Sequence, residues 1–175
     1  MNIVIVGHGP SIVGKQLGPW LDNQTVVRLK RAEIPNQIDW GSRTDYVCAT
    51  SLIYQTDKPF WLFSKKDGIG KKWREYYAKF SAVKPSTGLG AIFCAVEYLK
   101  PDTIGLAGFD NLLYPDEPGW SKWWIPRNHG LWIHDSKAEH EAAMSLGVKV
   151  VDVTCQSFLN TTRSPVSERI PTTTT

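Results

Sequence analysis

Short apolar runs alternate along the chain with stretches of helical spacing, a pattern that predicts an α/β fold. Residues 3–6 are continuously apolar and close on Gly7, the pattern of a strand buried on both faces and followed by a tight turn. Residues 25–29, 45–49, 60–63, 103–106 and 148–153 read as further strands from their β-branched and aromatic content. Between them, 12–21 reads as a short helix capped by Ser11 and interrupted by Gly18-Pro19, and 70–80 as a helix with a basic edge. The clearest helix is 87–99, with Ser86 or Thr87 as its cap and Leu89, Ile92, Phe93 and Val96 on its apolar face. A last helix, rich in Ala and Glu, runs over 135–146 and stops at Gly147.

This order predicts a Rossmann-like, mostly parallel sheet with helices on both faces, in one domain over residues 1–160. Ligands of such sheets bind at the carboxyl ends of the strands. Residues 111–131 carry Pro115, Pro118, Pro126 and three tryptophans, and read as a long irregular loop of the kind used as a lid or acceptor-binding element. Residues 161–175 end in four threonines and read as a disordered tail.

Composition narrows the picture. A chain of 175 residues with 42% apolar and 21% charged residues is globular and long enough for a real core. The net charge of +3 suits an anionic small ligand but falls short of the dense basic stripe of a dedicated nucleic-acid binder. Eight tryptophans are many for this length, and those in Gly/Pro-rich stretches suggest a cleft lined with aromatics. Cys48, Cys94 and Cys155 are sparse, odd in number and without CxxC spacing, which argues against structural zinc and fits a reducing compartment. With no signal-peptide pattern and no apolar run of about 20 residues, the expected location is the cytoplasm, with no membrane partner.

Four constellations carry candidate chemistry. Gly7-His8-Gly9-Pro10-Ser11 follows the first strand, where glycines let a backbone approach a phosphate. Its spacing is neither a Walker loop nor GxGxxG, and it reads equally as a plain strand-to-helix turn. Ser86-Thr87-Gly88, after Pro85, puts two hydroxyls at a helix start, either for a phosphate or ribose or as an ordinary cap. Gly108-Phe109-Asp110 stands at the carboxyl end of a strand, as ligand contacts or as a turn with a buried ring. His129, His134 and His140 fall within twelve residues, and His134 precedes a helix on which Glu139 lies about one turn away, placed to orient it. A histidine of near-neutral pKa is the usual group for taking a hydroxyl proton. The alternatives are that His134 caps the helix and that His140 faces solvent. The spacing of His129, His134 and Glu139 is not HExxH, so no metal is expected.

In this order the motifs resemble the sialyltransferases of glycosyltransferase family 29. Val4 to Ser11, with Leu21-Asp22 and the segment from Val26 to Lys30, resembles the family's large sialyl motif, and Gly41 to Asp45 its end. Pro85 to Gly88, continued by Ile104 to Phe109, resembles the small sialyl motif. His134 with Glu139 matches the HxxxxE motif, and His129 the short motif before it. The resemblance covers about residues 3–141. It implies a GT-A-like variant of the Rossmann-like fold, a CMP-sugar donor, a glycan or other hydroxyl acceptor, no cofactor or metal, and inversion at the anomeric carbon. His134 would be the base. Gly7, His8, Gly9, Pro10, Ser11, Arg28, Lys30, Ser86, Thr87, Gly88, Gly108, Phe109 and Asp110 would form the nucleotide site. His8 and Lys30 stand where the family usually has asparagines that touch the donor, and its cysteine pair has no obvious counterpart.

Two rivals remain open. Lys65-Lys66 and Lys71-Lys72, interleaved with Trp61, Trp73, Tyr76 and Tyr77, would suit a nucleotide- or nucleic-acid-binding module that stacks bases. A histidine base beside a phosphate loop would also suit a hydrolase or nucleoside-processing enzyme.

Overall fold

The computed structural model describes residues 2–29, 34, 36–49, 57–62, 68–113 and 135–155. These residues form a sheet of six parallel strands: β1 (Asn2–Val6), β2 (Thr25–Leu29), β3 (Tyr46–Ala49), β4 (Phe60–Leu62), β5 (Thr103–Ala107) and β6 (Lys149–Asp152), in the order β4-β3-β2-β1-β5-β6. The helices are α1 (Gly18–Leu21), α2 (Gln37–Trp40), α3 (Gly68–Tyr77), α4 (Thr87–Leu99), α5 (Asp110–Leu113) and α6 (Ser136–Met144).

Alternate strand residues feed two cores. Ile3, Ile5, Val27, Ile104 and Leu106 pack with α3, α4 and α6. Val4, Val6, Val26 and Ala107 pack on the other face with Leu21 of α1 and Trp40 of α2. The helices on both faces and the strand pattern agree with the sequence reading. α4 is buried over more than the one apolar face expected of it, because Leu89 through Ala95 are all enclosed between sheet and neighbouring helices.

Three local expectations are corrected. The segment 12–21 is not one interrupted helix. A 3-10 turn, Pro10–Ile12, holds Ser11 inside it rather than as a cap. Left-handed Gly14 (φ 75°) and Gln16 (φ 54°) then break the chain, and α1 starts at Gly18 with Pro19 in its first turn, where a missing N–H costs nothing. α3 begins two residues before and ends three residues before the expected span, since 78–80 form a turn. Residues 111–113 continue α5 instead of opening a loop, and 114–131 lie outside the described residues, as does the tail. α2 and α5 were absent from the sequence reading. The signal for α2 was Asn36 with Asp39 three residues on: Asn36 Oδ1 accepts from Asp39 N (2.8 Å), which is N-capping.

The strand order positions the site. β2, β3 and β4 follow on one side of β1, whereas β5 lies on its other side. The chain leaving β1 and the chain leaving β5 therefore diverge to opposite faces, the switch point that in open α/β sheets marks the ligand crevice. Val6 pairs in register with Ala107, so Gly7 and Gly108 leave the sheet side by side.

Candidate functional site

The two strand ends are joined by backbone contacts that only glycine permits. Gly7 N donates to Ala107 O (2.8 Å) and Gly9 N to Gly108 O (2.9 Å). A Cβ on Gly9 would sit 2.2 Å from Asp110 Oδ2 and 2.7 Å from Gly108 O, and Gly108 itself holds φ 69°. Ser11 N donates to Asp110 Oδ2 (3.2 Å). The amides of Gly7, Gly9 and Ser11, expected to face a phosphate, are thus already committed to two carbonyls and a carboxylate, and Pro10 has no N–H to offer.

The Phe109 ring ties this pair of loops to a third element. Its edge would lie 3.1 Å from a Cβ on Gly7 and 2.9 Å from a Cβ on Gly88. Gly88 stands in the first turn of α4, whose N-cap Ser86 accepts from Leu89 N (3.2 Å). Three of the constellations read from the sequence therefore meet around one buried ring.

Glu139, on α6, closes the arrangement. Its carboxylate is 4% exposed and accepts from Ser86 N and from Ser86 Oγ (2.7 Å). An anion at the start of α4 is favoured by the helix dipole as well as by these bonds. One turn earlier Asp135 accepts from Ala138 N (3.1 Å) and from Ser81 Oγ (3.0 Å). Asp135, rather than His134, is the N-cap of α6. Beneath them burial, reinforced by the Glu139 carboxylate, pushes the Tyr77 phenol up to about 12. Burial also raises Asp110, with the Ser11 hydroxyl and amide pulling it back and the Asp152 charge adding to the rise.

His8 is exposed at the crevice mouth, its Nε2 3.2 Å from Leu29 O, a contact that needs the proton on Nε2. Arg28 points elsewhere. Its Nε donates to Thr44 Oγ1 (2.9 Å) and Arg43 O (3.1 Å), and its Nη2 to Trp40 O (2.8 Å) and Arg43 O (2.9 Å). At 3% exposure it braces the segment between α2 and β3 instead of meeting a nucleotide. His140 is half-buried, with Nδ1 3.0 Å from Leu112 O, so it joins α6 to α5 rather than facing solvent. Lys30, His129 and His134 lie outside the described residues.

Among the described residues, three of the four rings expected to stack bases do not face solvent. Trp61, Trp73 and Tyr77 are buried, and Trp73 stacks on Phe93 of α4 at 4.3 Å and 7°. Lys71 and Lys72 are engaged with Glu75 and Glu97. The helical spacing that put rings beside lysines is the spacing of an ordinary amphipathic helix whose aromatic side faces the core. Trp40 is buried likewise, and Trp20 is half-buried against the core of the α1–α2 face. Lys65 and Lys66 lie outside the described residues. Among the described residues no three His, Cys, Asp or Glu converge as metal ligands, and no helix is long and apolar enough to cross a membrane.

Solved structures share this fold. One is a mammalian sialyltransferase in complex with Gal-beta-1-3GalNAc-ortho-nitrophenol, which aligns over 86% of this chain and 69% of its own with TM-score 0.54 and 16% identity. A second mammalian sialyltransferase structure aligns over 86% and 68%, with TM-score 0.54 and 17% identity. The fold is sialyltransferase-like. No family model and no curated protein sequence matches the chain. In this sialyltransferase-like frame the crevice between β1 and β5, with α4 and α6 at its side, is the candidate active site.

Proposed function

We propose that the protein is a glycosyltransferase that moves a sugar, of sialic-acid type, from a CMP-sugar to an acceptor hydroxyl without a metal and with inversion. The observation that carries this reading is the junction at Phe109. There the loops after β1 and β5 and the first turn of α4 meet at the switch point of a sialyltransferase-like sheet. Crevices at such points are where open α/β sheets take nucleotides.

In this reaction the protein forms no covalent bond to the sugar. The acceptor oxygen attacks the anomeric carbon, its proton passes to a base, and CMP leaves with the bonding electrons. Positioning and a well-placed base supply most of the acceleration. His134 is our base, and His129 belongs with it to the proposed catalytic set. His134 is the chain neighbour of Asp135, whose carboxylate is fixed by Ser81 and by the first turn of α6. Glu139 serves from a distance, holding Ser86 and with it the turn Ser86-Thr87-Gly88 against the donor.

The test is incubation with CMP-, UDP- and GDP-sugars and a hydroxyl acceptor, read by mass spectrometry. Transfer from the CMP-sugar is expected. Absence of both transfer and hydrolysis with every donor would overturn the reading, and release of free sugar without any acceptor product would make the protein a hydrolase. His134→Ala should lose turnover by about 10²- to 10⁴-fold while CMP still binds.

A further inference from the structure

Two thiols meet in the larger core. Cys48 is in β3 and Cys94 in α4, at 0% and 1% exposure, and neither is in a disulfide. The helix packs on the strand, and the two thiols are in hydrogen-bonding contact. Ala91, Cys94 and Ala95 recur at helical spacing on α4, and side chains this short let the helix lie close to the sheet. A buried cysteine ordinarily serves as a small apolar side chain, a role that asks for no second cysteine. Here each sulfur faces the one side chain with which it can form a covalent bond. Cysteines are bridged without backbone movement only when their side chains converge, and these two do.

The fold, and not a CxxC motif, brings the pair together, so spacing along the chain does not reveal it. Cys48 lies past Asp45, where the resemblance to the large sialyl motif ends, so the pair is this chain's own.

We infer that Cys48 and Cys94 are a disulfide-forming pair that fastens β3 to α4 when the chain folds in the presence of a small-molecule disulfide such as glutathione disulfide. This does not depend on the proposed activity. One cysteine thiolate attacks glutathione disulfide, forms a mixed disulfide and releases one glutathione. The second thiolate then displaces the remaining glutathione. The cysteines give up two protons and two electrons, and the oxidant becomes two glutathione thiols. Once the core has closed, the reaction is shut off. Contact with Cys94, with burial adding to it, holds the Cys48 thiol well above the ordinary cysteine range, so little attacking thiolate forms. The bond is therefore made before the core closes, and in a reducing compartment the pair stays as two thiols. The helix that it would fasten is the one whose first turn meets Phe109 and Glu139.

The experiment is cell-free synthesis of the full chain in oxidised or in reduced glutathione buffer, then alkylation in urea and peptide mapping without reduction. In the oxidised buffer a peptide linking Cys48 to Cys94 is expected, with half-exposed Cys155 outside the bond. The linked protein should melt about 5–10 °C above the reduced one. Cys94→Ala should lose the linked peptide and the difference between the two buffers. Protein folded in reduced buffer and then given glutathione disulfide should react at Cys155 and leave Cys48 and Cys94 as thiols. The inference is overturned if Cys48 and Cys94 are both alkylated after synthesis in the oxidised buffer, a result that needs no variant. It is also overturned if either of them bonds to Cys155 instead, or if the linked protein melts no higher than the reduced one.

Discussion

Arg28 and Asp110 are both charged, both almost wholly enclosed, and both stand at the carboxyl end of neighbouring parts of one sheet. Arg28 spends its donors on the carbonyls of Trp40 and Arg43 and on the Thr44 hydroxyl. Burial still lowers it to about 10, against the opposing pull of Asp22, but its geometry is complete. Around it Asp22 accepts from the amides of Ser42 and Arg43, and Asp39 from those of Gly14 and Gln16. Asp110 is held by one residue, Ser11, whose amide donates to Oδ2 and whose hydroxyl also favours the charged form. A buried charge bonded to several segments ties those segments together, whereas one held by a single residue fixes only that contact. The α1–α2 face is therefore closed on itself, and the proposed ligand site lies on the other side of Gly9, between β1 and β5.

That contrast can be broken most forcefully at Arg28. Arg28→Met strands several buried carbonyls at once, each costing about 1–3 kcal/mol, so the expected loss is about 3 kcal/mol or more. Urea denaturation measures it, and nucleotide affinity of the remaining folded protein should be unchanged. Gly9→Ala attacks the other region. Its Cβ meets backbone and carboxylate at 2.7 and 2.2 Å, so the loops must part, at a cost of about 1–3 kcal/mol. Here nucleotide binding should fall more than stability does, the reverse of Arg28→Met.

Acid titration sharpens the comparison because the two sides carry opposite signs. Burial opposes ionisation of Asp39, but the amides of Gly14 and Gln16, with Asn36 and Lys15, outweigh it and hold its pKa below 3.8. Its contribution is present above 3.8 and is lost as the pH falls through the folded-state value. Asp110 is raised, so its contribution is present below 3.8 and is lost as the pH rises through its own folded-state value. Asp39→Asn should flatten the acid limb of the stability–pH profile, cost about 1–2 kcal/mol at neutral pH, and leave CMP affinity alone. The smallest effect belongs to Lys72→Ala. Lys72 reaches Glu97 at 2.6 Å, but the two side chains are 59% and 36% exposed, so a change within about 0.5 kcal/mol is expected. A larger loss would mean that the face once read as a base-stacking surface has a role that its buried rings do not suggest.

Much of the frame was legible locally. A continuous apolar run of strand length closing on Gly7 reads as a strand buried on both faces, and Ser86-Thr87 before an apolar helix offers it a cap, which Ser86 supplies. The short helices were not legible, because four residues carry too little periodicity. The aromatic-basic stretch misled because rings at helical spacing look alike whether they face solvent or core.

Local pattern was enough for the alternation of strands and helices, for the glycines where two strand ends meet, and for a hydroxyl cap on α4. The tertiary structure alone decided where each polar group's partner lies. Ser11 finds Asp110 across 99 residues, and Ser86 finds Glu139 across 53. Local pattern fixes which groups can donate and accept, but the acceptor that takes each proton is brought by the fold. For that reason a loop composed like a phosphate cradle emerged with its amides already engaged and a buried carboxylate beside them.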